Sequence, residues 1–291
     1  MMKKHDSLLL FIGVICGMWF CVLHVSAQTT NSLVLNILHT NDTHSCIEPI
    51  NKNLVDTLQA DKAGFIRRAV FVERQREKDK DLLLFDCGDF SQGSAYYNLY
   101  KGEVEIKLMN HMKYDACTIG NHEFDFGLEN MARLFQMADF PVVCCNYDFS
   151  GTVLAEWVKP YVVLQRKGLR VGVFGVSPML EGLVPKQNYE GVKYEEPIEA
   201  ARRVVKKLRE EEKCDVVICL SHLGWNMPGV SDEEIIKNTT GIDVVLGGHS
   251  HTYFKDPEYV ENADDLHVAC YQMGKNGRFV GSLSLEFRVK E

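Results

Sequence analysis

Asp42 and His44 stand two residues apart, and so do His249 and His251. On an extended backbone, residues at that spacing project to the same side of the chain, so each pair can offer two donors to one cation. The same vocabulary of acid, amide and imidazole recurs in five short clusters. They are Asn41-Asp42-Thr43-His44, Asp86-Cys87-Gly88-Asp89, Gly120-Asn121-His122-Glu123-Phe124-Asp125, Ser221-His222 and Gly247-Gly248-His249-Ser250-His251. Of the eight histidines that follow residue 27 (positions 39, 44, 111, 122, 222, 249, 251 and 267), five fall in these clusters. Imidazole nitrogen mixed with carboxylate and amide oxygen suits Zn, Mn, Fe or Co, and the lack of any Cys-x-x-Cys spacing gives a thiolate zinc site little support. Each residue also has an ordinary structural reading: Asp42 as a turn or helix cap, Asp89 as a loop acid, Asn121 as a turn residue, His222 as the partner of a backbone carbonyl. Five clusters together are better explained by metal, because buried polar groups need partners and a cation supplies all of them at once.

These clusters need elements that bring them to one place. Short apolar runs rich in β-branched residues alternate with longer amphipathic stretches. The pattern predicts strands at Leu33–Leu38, Leu82–Phe85, Ala116–Ile119, Val142–Cys145, Val171–Val176, Val216–Leu220 and Val244–Leu246, and helices at Phe65–Lys78, Val104–His111, Leu128–Gln136, Ile198–Glu211 and Asp232–Lys237. Such alternation implies α/β layering, with fully apolar strands buried on both faces. Five of the predicted strands run into the five polar clusters, and sheets of this class bind ligands beyond the carboxyl ends of their strands. The last segment, His267–Gln272 and Val280–Phe287 around the turn residues Gly274 to Gly277, reads as an antiparallel hairpin. No Pro- or Gly-rich linker or repeat divides residues 33 to 288, so the chain reads as one domain.

With 46% hydrophobic and 25% charged residues among 291, the composition is that of a folded globular chain and excludes disordered and multi-pass membrane classes. A net charge of -8 argues against a surface that grips nucleic-acid backbone, although one cation-rich pocket is enough for a small phosphate. Lys3 and Lys4 precede an apolar run from Leu8 to Leu23 that is followed by Val25-Ser26-Ala27, the layout of a secretory signal peptide cut after Ala27. The competing reading is an uncleaved anchor, since the run is only a little shorter than a spanning helix. Cleavage would remove Lys3, Lys4 and Asp6 and leave 264 residues with 30 basic and 39 acidic side chains, exported to a periplasm or to the medium without stable membrane insertion. The eight remaining cysteines, several inside apolar runs (Cys144, Cys145, Cys219), read as core thiols, since a chain of this length can bury a core without disulfides.

The series NDTH, GDFSQGS, GNHEFDFG, SHLG and GGHSH resembles the five-block signature of the calcineurin-like metallophosphoesterases. LHTNDTH at Leu38 to His44 and GNHEFD at Gly120 to Asp125 narrow the resemblance to the 5'-nucleotidase branch, over residues 33 to about 288. It implies a four-layer αββα sandwich with a two-metal centre at its edge. By the same resemblance Asp42, His44 and His251 would hold one divalent ion, Asn121, His222 and His249 the other, and Asp89 would bridge both. Two such ions about 3.5–4 Å apart lower the pKa of a shared water and clamp the attacking and leaving oxygens of an in-line displacement at phosphorus. His122 lies beside a presumed ligand and is free to face substrate, while Asp125 three residues on can accept from its ring. This dyad is expected to stabilise charge on the phosphoryl group or to protonate the leaving oxygen. His39 and Asp86 are expected to orient ligands from behind, and Cys46 and Cys87 to be core thiols.

Secreted 5'-nucleotidases of this branch carry a second domain that stacks the base and holds the substrate's phosphate and ribose. Residues 28–291 match the metal domain alone. The expectation is an exported phosphoester hydrolase acting on nucleotides or related phosphomonoesters or cyclic phosphodiesters, with a separate chain as a candidate source of nucleoside binding. The alternatives are a thiosulfohydrolase-like enzyme on the same scaffold and a non-catalytic module stabilised by metal. The module reading would want at least one of the seven ligand positions lost, and none is.

Overall fold

The computed structural model describes residues 32–288, so the predicted signal peptide at residues 1–27 lies outside them. The strands are β1 (Ser32–Thr40), β2 (Leu83–Asp86), β3 (Ala116–Cys117), β4 (Val142–Val143), β5 (Tyr147–Asp148), β6 (Val158–Lys159), β7 (Tyr161–Arg166), β8 (Leu169–Val176), β9 (Lys193–Tyr194), β10 (Val216–Ser221), β11 (Val244–Leu246), β12 (Glu258–Glu261), β13 (His267–Tyr271) and β14 (Gly281–Arg288). The helices are α1 (Phe65–Lys78), α2 (Ala95–Tyr100), α3 (Glu103–Met112), α4 (Gly127–Met137), α5 (Pro197–Glu210) and α6 (Asp232–Lys237).

Period-two patterning explains the layers. In β1, Leu35 and Ile37 face one way, as do Leu83 and Phe85 of β2, and they meet Val171 and Val173 of β8 and Ile218 and Leu220 of β10 in a core between two sheets. The alternate residues face outward: Leu38 and Leu84 pack under α1, α3 and α4, while Val217, Cys219 and Val245 pack under α5 and α6. Two six-stranded sheets, ordered β14-β1-β2-β3-β4-β6 and β12-β13-β11-β10-β8-β7, therefore lie face to face with helices on both outer sides, a four-layer αββα sandwich. Helix α5 shows why such a layer forms. Glu196 caps it by accepting from the amides of Ile198 and Glu199, Pro197 opens its first turn, and Ala200, Ala201, Val204, Val205 and Leu208 make one buried stripe. Phe85 is fully buried between the sheets, and Phe85→Ala is expected to cost about 3–5 kcal/mol, read as a lowered urea midpoint.

The predicted C-terminal hairpin does not form. β13 lies parallel to β11 in one sheet, while β14 runs antiparallel to β1 in the other. The Gly274–Gly277 turn residues serve a connection between sheets, because Leu283 of β14 belongs in the inter-sheet core and reaches it only at the free edge of β1. All eight cysteines of the described residues are free thiols, seven of them buried.

Candidate metal centre

Parallel pairing of β1 with β2 and β2 with β3, and of β8 with β10 and β10 with β11, brings the carboxyl ends of these strands to one edge of each sheet. Backbone bonds keep the loops that follow in step: Asp42 N–H donates to Gly88 O (3.0 Å), His44 N–H to Asp89 O (3.0 Å) and Thr118 N–H to Asp86 O (3.0 Å). Five cluster residues that are not glycine adopt left-handed backbone, with φ of 47° at Asp42, 44° at His44, 55° at Asp89, 69° at His249 and 56° at His251. Such conformations persist where the surroundings over-determine them, and they concentrate at functional sites. Gly88 (φ 88°) meets a further demand, because a Cβ there would stand 2.6 Å from the Gly120 amide nitrogen and 2.8 Å from His222 Nδ1.

The side chains converge in three overlapping groups. Asp42, His44 and His251 form one, Asp89, His222 and His249 a second, and His44, Asp89 and His122 a third, with the donor atoms of each within 4.8 Å of one another. Asp89 belongs to two of them. The His44 and His251 Nε2 atoms face each other at 3.0 Å, with Asp42 Oδ1 at 3.8 and 3.4 Å. His222 donates from Nδ1 to Cys87 O (2.7 Å), and its Nε2 lies 3.2 Å from Asp89 Oδ2. Asn121 Oδ1 is buried without a hydrogen bond, an expensive arrangement that a cation relieves. Asp42, His44, Asp89, His122, His222, His249 and His251, on five loops, thus present oxygen and nitrogen donors to one another at close range, a set suited to borderline divalent ions.

Electrostatics follow from burial. Burial opposes a charged His222, but the Asp89 carboxylate, with Asp42 behind it, holds its pKa up to about 10. Asp89, against its own desolvation, is held well below the carboxylate range by His222, His122 and His44. Desolvation and the neighbouring His222 push His249 down to about 4, and desolvation lowers His44. Without other cations, His222 thus supplies the positive charge that the buried carboxylates demand.

His122 and Asp125 sit at the mouth, each about one-third exposed. His122 Nδ1 lies 3.2 Å from Asp125 Oδ2, and this bond raises the His122 pKa against partial burial. The His122 amide donates to Asp89 Oδ1 at 2.9 Å, so the dyad is registered to the crevice through its own backbone.

Two supporting residues, Glu123 and Gln272, were given no role by the sequence. Glu123 is buried and accepts from the amides of Gly120 (2.6 Å), Asp89 (3.0 Å) and Ser91 (3.1 Å), clamping two cluster loops together. Its position between His122 and Asp125 was the available signal. Gln272 accepts from Thr252 N–H (2.5 Å) and Ser250 Oγ (2.7 Å) and donates to Gly248 O (2.8 Å), which shapes the turn carrying His249 and His251. Asn41 ties Asp42 to Gly274 O. Asp86 accepts from the Gly88 amide (3.0 Å) and so steadies the loop before Asp89. The expectation for His39 fails. It faces the inter-sheet core with Leu35 and Ile37, edge-on to Tyr271, and neither ring nitrogen has a hydrogen-bond partner. Cys87 is a buried thiol with its pKa driven up by desolvation, and the partly buried Cys46 bonds only Glu48 O.

Glu123→Gln replaces an acceptor-only carboxylate with an amide that can serve fewer of the three N–H groups. It is expected to weaken divalent-ion affinity about 10–100-fold, measured by metal content after dialysis against graded buffers, with the circular dichroism of the fold retained.

Residues 35–253 match the family described as calcineurin-like phosphoesterase. The chain belongs to that family, whose members use divalent metals. Within the family it is 30% identical over 297 residues to the snake venom 5'-nucleotidase of Crotalus adamanteus, covering 94% of this chain and 48% of that protein. It is 32% identical over 272 residues to the 5'-nucleotidase of Homo sapiens, covering 87% and 46% respectively. The crystal structure of the 5'-nucleotidase precursor from Thermus thermophilus superposes with a TM-score of 0.77 at 31% identity, over 87% of this chain and 51% of that one. The chain thus spans about half the length of these relatives.

Proposed function

We propose that residues 28–291 form one exported metallophosphatase domain that hydrolyses phosphoesters of the nucleotide class with two divalent cations. One cation is assigned to Asp42, His44 and His251, the other to Asn121, His222 and His249, with Asp89 between them. The observation that carries this reading is that Asp89 groups with His222 and His249 on one side and with His44, itself grouped with Asp42 and His251, on the other, while Asn121 Oδ1 is buried without a protein partner. The likeness to 5'-nucleotidases supports the substrate class. When bound, the cations would supply Lewis acidity toward water and phosphoryl oxygen. The chain's own part is geometric and protonic. Asp42 and Asp89 offset cationic charge, His222 is oriented by Cys87 O, and His122, held by Asp125, donates a proton or a hydrogen bond to the leaving oxygen. Among the described residues no helix is long and apolar enough to cross a membrane.

The test is phosphate release from AMP, cyclic nucleotides, ribose 5-phosphate and p-nitrophenyl phosphate by chelator-treated protein given Mn, Zn, Co or Mg in turn. Activity restored by at least one ion is expected. Turnover of a sulfonated carrier with no phosphoester hydrolysed would replace the reading with a thiosulfohydrolase, and no turnover with metal bound would favour a binding module. A strong preference for AMP over p-nitrophenyl phosphate by this chain alone would remove the need for a separate nucleoside-binding subunit. Export is tested by N-terminal sequencing of the secreted protein, expected to begin at Gln28.

A further inference from the structure

The loop that joins the two sheets carries an aromatic surface beside the metal crevice. It is tied to both halves of the first donor group: Asn276 N–H donates to Asp42 O (2.7 Å), Gly274 N–H donates to Thr252 O (2.8 Å), and Tyr253, two residues past His251, bridges Met273. On this support Tyr253 and Phe279 stack with ring centroids 4.2 Å apart and planes 24° from parallel, yet they remain 46% and 40% exposed. Arg278 lies over the Phe279 ring at 5.8 Å, and among the described residues neither Arg278 nor Lys275 makes an ion pair. Phe279 also lines a cleft of about 460 Å³ with Lys62, Arg67, Arg68 and Arg278, whose sole acid, Asp61, is already paired with Arg67. A stacked, half-exposed aromatic pair flanked by uncompensated cations, in a chain of net charge -8, matches a ligand that is both planar and anionic.

We propose that Tyr253 and Phe279 form a stacking platform for the base of a nucleotide whose phosphate lies in the metal crevice, with Arg278 beside it countering the ligand's negative charge. This rests on the phosphoesterase reading for the position of the phosphate, and it gives this domain its own means of recognising a nucleoside. Base stacking tolerates any nucleobase, because each has a π face, so the platform selects nucleotides over sugar phosphates without choosing among bases.

The experiment compares AMP with ribose 5-phosphate, which carries the same ester without a base, using metal-loaded protein. In Phe279→Ala and in the Tyr253→Ala/Phe279→Ala double variant, KM for AMP is expected to rise about tenfold or more while that for ribose 5-phosphate shifts less than twofold. Phe279→Trp is expected to keep or lower KM for AMP. Equal shifts for the two substrates, or none, would overturn the platform while leaving the hydrolase reading intact. Should the chain hydrolyse neither ester, adenosine binding followed by calorimetry decides separately: binding weakened about tenfold in Phe279→Ala supports the platform, and no adenosine binding by the unaltered protein overturns it.

Discussion

Asp89→Asn is expected to strip the protein of at least one bound cation and to lower phosphoester turnover by about three orders of magnitude or more. Removing one oxyanion-stabilising donor from an enzyme already costs about 10²–10³-fold, and this change acts on two donor groups at once. Asparagine keeps an oxygen that can accept from the His122 amide, so the dyad need not move. What is lost is negative charge between His222 on one side and His44 and His122 on the other. Metal content by mass spectrometry on dialysed protein, together with kcat on p-nitrophenyl phosphate, checks the result. Two tightly held ions in the variant would remove Asp89 from the bridging role.

His122→Ala is the complementary case. Turnover is expected to fall about 10²–10³-fold while metal content stays at the level of the unaltered protein, because the ring would act on the leaving oxygen and not on the cations. Asp125→Asn should reproduce a smaller part of that loss, since the carboxylate holds the His122 ring and supports its proton through a 3.2 Å contact. The structure also contains the competing geometry, a donor group of His44, Asp89 and His122. Loss of metal in His122→Ala would therefore transfer His122 to the ligand set.

How much of this was legible in advance depends on the range of the interaction concerned. Helices α1 and α6 have the predicted bounds, and α5 differs by one residue at each end, because amphipathic spacing and polar flanks are local properties. The antiparallel edge strand β7 was missed: its apolar run, Tyr161 to Leu164, is only four residues long and ends in the polar Gln165 and Arg166, with no alternation to mark it. Strands β5, β6 and β9 have two residues each, too few for periodicity to register. The hairpin expectation failed because turn residues specify that a chain bends and not which sheet receives the next strand. His39 illustrates register. It sits one residue past the outward-facing Leu38, and that step turns it away from the helices and into the core between the sheets.

The sequence by itself determined the donor chemistry and the layered α/β class, since side-chain type and hydrophobic period belong to residues and their near neighbours. Only the tertiary structure decided which donors share a cation-sized space. His44 and His251 meet at 3.0 Å across 207 positions, and Glu123 reaches the Asp89 amide across 34, closures set by parallel register within each sheet and by packing between the sheets. The same packing carries the 273–279 loop back over Asp42 and leaves Tyr253 against Phe279. No periodicity encodes that meeting, because it is the product of two sheets sharing one core.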